Sequence, residues 1–213
     1  MLEEIEHSIS DPWGWVTSFE DVVAKYAGSP FAVACDSNSN AIKLVLEYLN
    51  VKNEDIFVPK NTYVSVPNQI IHSGNTPYFI DLDWDGEYQL YPYRIWDSAT
   101  RFRKGMFTQI ESQLGLKSYQ ILSFHIKKIL NIGTGGMILT DDLDFVKWAR
   151  SMIYDGRHKN TMYVDDEFEC IGYHMYMTPE QAKRGLEIFY SDKIKDMNED
   201  CGSSKTYKDL TLQ

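Results

Sequence analysis

Two stretches of the sequence hold residues whose types and spacing suit chemistry. In the first, Ser123-Phe-His-Ile-Lys-Lys128, an apolar run ends in a basic turn and leads into Gly133-Thr-Gly135-Gly136. A lysine just beyond the carboxyl end of a strand in an α/β sheet lies where such sheets bind ligands, and a desolvated amine there can attack a carbonyl. A solvated Lys127–Lys128 pair is the other reading of the same residues. The glycines permit positive φ or a close backbone approach. In the second stretch, Asp36-Ser-Asn-Ser-Asn40 sets hydroxyls and backbone N–H groups at the start of a helix. That makes an anion site or a plain helix cap. The five histidines (His7, His72, His125, His158, His174) have no metal-ligand spacing, and Cys35, Cys170 and Cys201 form no CxxC pair, so no metal site and no disulfide framework is expected.

The elements that must position these groups follow from apolar periodicity. Phe31–Cys35 reads as a buried strand, followed by a helix carrying Ala41, Ile42, Leu44, Val45, Leu46 and Leu49. Asp55–Val58 is a second strand, 63–72 a helix stopped at Gly74, and Pro77–Asp81 a third strand. Tyr91–Trp96, Tyr119–Ser123 and Gly136–Thr140 complete the strands. A helix with Phe145, Trp148, Ala149, Met152 and Ile153 on one face ends near a left-handed Gly156. A last amphipathic helix spans 178–194, and the polar tail from Asn198 is expected to fray. Strands alternating with helices predict an α/β fold with a mainly parallel sheet flanked by helices.

A chain of 213 residues suits one main domain. Its formal charge of −10 would repel a phosphate backbone, so no nucleic-acid partner is expected. The acidic opening MLEEIEHSIS does not read as a secretory leader, and no apolar run reaches the roughly 18 residues that a membrane span needs. A cytoplasmic protein without membrane association is expected.

Seven blocks, taken in order, carry a resemblance. They are Val33-Ala-Cys-Asp-Ser-Asn-Ser-Asn-Ala-Ile-Lys-Leu44, Val58-Pro-Lys-Asn-Thr-Tyr63-Val-Ser-Val-Pro-Asn68, Gly74-Asn-Thr-Pro-Tyr-Phe-Ile-Asp81, Trp96-Asp97-Ser-Ala99, Ser123–Lys128, Gly133-Thr-Gly-Gly-Met-Ile-Leu-Thr140 and Gly172-Tyr-His-Met-Tyr-Met-Thr-Pro-Glu-Gln-Ala182. Together they resemble the DegT/DnrJ/EryC1/StrS sugar aminotransferases, over roughly residues 12–195.

The resemblance implies the aspartate aminotransferase architecture and the cofactor pyridoxal 5'-phosphate. It puts Lys128 on the lysine that binds the cofactor covalently and moves the substrate proton. Asp97 falls on the partner of the pyridinium nitrogen, Tyr63 on the ring stacked against the cofactor, and Asn38, Ser39 and Ser123 on the phosphate cradle. His174 falls on a residue reaching the phosphate in a neighbouring subunit. Expected substrates are an amino acid such as glutamate and a nucleotide-linked keto-sugar, as in surface polysaccharide or amino-sugar biosynthesis, with a homodimer as the working form; the alternative is a non-catalytic binding or interaction protein.

The chain also departs from the family pattern. Residues 1–170 read as an abbreviated cofactor-binding domain and 171–213 as a remnant of the small domain with a polar tail. Only 13 residues separate Asp83 from Asp97, so about one βαβ unit is expected to be missing. Asn38 replaces a turn glycine, Thr100 a glutamine, and His174 and Tyr176 an asparagine and an arginine.

Overall fold

A computed structural model describes residues 2–107, 116–191 and 199–212. In chain order the elements are α1 (Leu2–Ser8), α2 (Gly14–Ala27), β1 (Phe31–Cys35), α3 (Asn38–Tyr48), β2 (Asp55–Pro59), α4 (Ser65–His72), β3 (Thr76–Ile80), β4 (Tyr88–Gln89), β5 (Ile95–Asp97), β6 (Tyr119–Ser123), β7 (Gly136–Thr140), α5 (Leu143–Met152) and α6 (Pro179–Phe189).

The main sheet has the order β1-β7-β6-β5-β4, and β2 pairs with β3 in a separate parallel pair. The expected mainly parallel sheet is therefore corrected: β1–β7, β6–β7 and β4–β5 are antiparallel, and only β5–β6 is parallel within the main sheet. The reason lies in the connections. Parallel neighbours need a crossover, usually helical, but residues 124–135 form turns and bring β7 straight back, while 90–94 close a hairpin.

Both faces of the sheet are buried, and the alternation of side chains decides which face each covers. Val33, Cys35, Ile121 and Ile138 face a cluster with Ile42 and Leu46 of α3 and Phe145 and Ala149 of α5. Ala32, Ala34, Leu122, Met137 and Leu139 face the opposite cluster, with Phe19 and Val23 of α2 and Ala182 and Leu186 of α6. Gly185 lets α6 approach α2, because a Cβ there would lie 2.5 Å from the Phe19 ring. The α6 start is fixed by a Thr178–Gln181 capping box with Pro179 in the first turn, a device that contributes about 1 kcal/mol.

Several boundaries differ from the sequence reading. The helix expected at 63–72 begins at Ser65, so Tyr63 stands free in the preceding turn. The strand expected at Tyr91–Trp96 is instead two pieces, β4 and β5, flanking a turn. Tyr91 exchanges backbone hydrogen bonds with Phe57, at 2.8 and 3.2 Å, and so joins the main sheet to the β2–β3 pair. Gly156 is left-handed at φ 78, but α5 has already ended at Met152. The helix expected to reach Ile194 ends at Phe189, with Tyr190 as its cap and Ser191 past its end, and Ile194 lies outside the described residues.

The expectation of a frayed tail fails for residues 199–212. Asn198 lies outside the described residues, but Cys201 N–H donates to the Thr100 carbonyl at 2.8 Å, Ser204 N–H to Trp84 at 2.9 Å and Leu210 N–H to Lys60 at 3.0 Å. Polar composition misleads here because its donors find protein acceptors in place of water.

Candidate active site

The carboxyl ends of β5 and β6, the amino end of α3 and residues 199–212 enclose a cavity of about 450 Å³. Asn38, Ser39, Tyr63, Asp97, Ser123 and Lys128 all line it, so six of the seven residues singled out in the sequence converge. His174 does not line it. Its imidazole is exposed, paired with Asp155 at 2.9 Å and set edge-on to Tyr176.

Asp97 is buried at the end of β5. Its Oδ1 accepts from Asn38 Nδ2 and from the Ala99 N–H, both at 3.1 Å, and its Oδ2 accepts from the Tyr88 hydroxyl at 2.7 Å. Burial raises its pKa, opposed by these hydrogen bonds and by the Lys128 charge. A carboxylate offers about four acceptor positions, so three donors leave one for a cationic ring N–H.

The Asn38 side chain is thus committed to the carboxylate and to the Ile121 carbonyl, at 3.3 Å, and does not form part of an anion cradle. As the first residue of α3 it needs no left-handed backbone, and a glycine is not required. Its amide and that of Ser39 lie in the first helical turn, where N–H groups have no intrahelical acceptor and attract anions. Ser37 caps the helix by accepting from the Asn40 N–H at 3.2 Å, and Ser39 bonds Ser65 at 2.7 Å. Gly136 makes this geometry possible: a Cβ would lie 2.3 Å from the Ser37 carbonyl carbon and 2.5 Å from Asn38 N. The close approach foreseen for this glycine is therefore to the protein's own turn.

Lys128 is half-buried in the turn after β6, whereas Lys127 is exposed. Lys128 Nζ lies 3.5 Å from the Tyr207 hydroxyl. Tyr63 is 59% exposed, which leaves its ring free to stack on a planar ligand. Thr100 lines the cavity too, but its hydroxyl lies against the carbonyls of Gly86, at 2.9 Å, and Gly202, at 3.1 Å.

Sequence reasoning missed Tyr88, Trp84 and Tyr207. Tyr88 and Leu90 are buried and flank the half-buried Gln89, a period of two that is short for detection. Nothing local in the sequence marks Tyr207.

An amine, a buried carboxylate, an aromatic face and a helix amino end around one cavity fit a phosphorylated pyridine aldehyde. The chemistry of these donors matches each part of that group, and the free acceptor position on Asp97 matches its ring nitrogen.

Residues 8–109 and 112–199 match the model of the DegT/DnrJ/EryC1/StrS aminotransferase family. The chain is 25% identical to GDP-perosamine synthase of Caulobacter vibrioides, over 84% of this chain and 57% of that protein. It is 25% identical to the spore coat polysaccharide biosynthesis protein SpsC of Bacillus subtilis, over 87% of this chain and 60% of that protein. A DegT DnrJ EryC1 StrS aminotransferase from Brucella abortus superposes with a TM-score of 0.63 at 20% identity, covering 88% of this chain and 61% of that one. DesV of S. venezuelae gives 0.64 at 18%, covering 88% and 60%. These structural likenesses establish the fold, and the chain spans 57–61% of the length of these relatives.

Proposed function

The chain belongs to the DegT/DnrJ/EryC1/StrS aminotransferase family, and we propose that it is a pyridoxal-phosphate-dependent aminotransferase moving an amino group from an amino acid, glutamate first among candidates, to a nucleotide-linked keto-sugar. The observation that carries this reading is the convergence of Lys128, Asp97, Tyr63 and Ser123 with the α3 amino end on one cavity. The names of the relatives, a perosamine synthase and a coat polysaccharide protein, support the sugar as acceptor.

When bound, the cofactor supplies an electron sink for the substrate carbon. The chain's residues do the rest. Lys128 would hold the group through its amine and, when free, would take the proton at the donor's α-carbon. Asp97 would keep the ring nitrogen protonated through its remaining acceptor position. Tyr63 would orient the ring by its face, and the backbone amides of Asn38 and Ser39 with the Ser123 hydroxyl would hold the phosphate.

In this reading residues 1–170 are the cofactor-binding unit and 171–213 the reduced second unit, which adds Cys201, Thr206 and Tyr207 to the pocket wall. The working form is a homodimer in which His174 reaches the neighbouring site. The outward position of His174 and the exposure of Met162, Val164 and Phe168, with Ile171 96% exposed, support that assembly.

A second reading, a non-catalytic binding protein, is favoured by one observation: Asp97 already has three protein donors. Incubation with pyridoxal phosphate, borohydride reduction and peptide mass separates the two. An adduct on Lys128, with glutamate-dependent conversion of the cofactor to its free amine in a parallel unreduced sample, supports the enzyme. An adduct without that conversion supports the binding protein, and no adduct ends the cofactor reading. Light scattering at micromolar concentration tests the dimer, and a monomer removes it.

A further inference from the structure

Residues 199–212 supply a wall of the cavity, through Cys201, Thr206 and Tyr207. Three loops rimming the pocket hold them. From the loop after β5, Arg101 and Arg103 pair with Asp200 at 2.9 and 2.8 Å. From the loop before β4, Gly86 N–H donates to the Gly202 carbonyl at 3.0 Å and Asp83 accepts from the Ser204 hydroxyl at 3.0 Å. From the loop after β2, Asn61 Nδ2 donates to the Tyr207 carbonyl at 3.1 Å. Gly86 suits this contact, since its φ of 75 favours glycine and a Cβ there would sit 2.1 Å from an Asp200 carboxylate oxygen and force that side chain to shift.

The segment delivers one aromatic ring to the site. Tyr207 stacks on Trp84 with centroids 5.7 Å apart and planes at 26°, and lies edge-on to Tyr63 at 6.3 Å. Burial and then the Asp97 charge push its phenol up to about 12, so it remains an O–H through the neutral range. With the ring in place the cavity still measures about 450 Å³, so Tyr207 is a wall and not a plug.

We infer that residues 199–212 act as a latch that holds Tyr207 over Lys128, and that Tyr207 is a positioning residue, shielding the amine with its ring and bonding it through its hydroxyl. Its catalytic meaning rests on Lys128 being the covalent amine, but the latch can be tested without any cofactor.

The test is reductive methylation of the whole chain, free of pyridoxal phosphate, by formaldehyde and cyanoborohydride. Peptide mass gives the ratio of Lys128 to Lys147 modification, the exposed α5 lysine that does not line the cavity serving as an internal standard. Tyr207→Ala should raise that ratio about tenfold by opening the wall, and Asp200→Asn should raise it in the same direction by releasing the anchor. Tyr207→Phe keeps the ring and loses the hydroxyl, and should raise it about threefold with an unchanged thermal midpoint. A Tyr207→Ala ratio equal to that of the natural chain overturns the proposal, as does a Tyr207→Phe ratio equal to it. If Tyr207→Ala does not fold, an unchanged ratio in Asp200→Asn overturns the latch. Failure of pyridoxal phosphate to label Lys128 would remove the cofactor reading and leave these ratios standing.

Discussion

Tyr88 and Asp97 face each other in register across the β4–β5 hairpin, and the Tyr88 hydroxyl donates to the Asp97 carboxylate at 2.7 Å. A residue of the edge strand β4 thus also holds the carboxylate of the site. Thr62 hydrogen-bonds the same hydroxyl, so loop, hairpin and carboxylate form one buried polar chain.

Tyr88→Phe removes a hydrogen bond to a buried carboxylate and should lower the unfolding free energy by about 2 kcal/mol, read from urea titration. Because that bond lowers the Asp97 pKa, its loss should also make Asp97 easier to protonate. An unchanged urea midpoint would mean that the bond contributes nothing.

Asp97→Ala should weaken pyridoxal phosphate binding and slow turnover on the order of 100-fold or more, since the ring loses its fixed counter-charge. Near-normal turnover would take Asp97 out of the mechanism.

Lys128→Ala should abolish the borohydride-trapped adduct, while Lys127→Ala should retain it, because both lysines line the cavity but Lys128 is half-buried beside Tyr207 whereas Lys127 is exposed. An adduct that persists in Lys128→Ala would reassign the amine.

Gly136→Ala would drive a methyl group into the Ser37–Asn38 backbone, where neither atom can rotate away. We expect a loss of about 3 kcal/mol and distortion of the α3 amino end, measured by denaturation and by weakened phosphate protection. Natural stability in this variant would contradict the close approach.

His158 bridges Asp166 at 2.8 Å and Glu169 at 3.2 Å in the loop after α5. Its partners raise its pKa above the ordinary 6.5, so its contribution is fully present below that value and is lost as pH rises through the folded value. The carboxylates are shifted down, so their contributions hold above about 4.5 and fade as pH drops. His158→Gln should therefore lower the thermal midpoint most near pH 5.5 and least near pH 8.5. A pH-independent difference would rule out the charge pairing.

Local apolar periodicity determined β1, β2, β3, β6 and β7 and the helices α3 to α6 to within a few residues, because each buries one face and the spacing of apolar side chains reports which. The ordered resemblance determined the family and the cavity residues Lys128, Asp97, Tyr63 and Ser123. Strand direction was decided only by the tertiary structure, since a turn such as 124–135 sets orientation through its path in space and leaves no periodic trace. The partners of Asn38 and the placement of Tyr207 were decided there too. Asn38 meets a carboxylate 59 positions away and Tyr207 meets an amine 79 positions away. Contacts at such separation depend on how the layers close over one another, which no window of local sequence records.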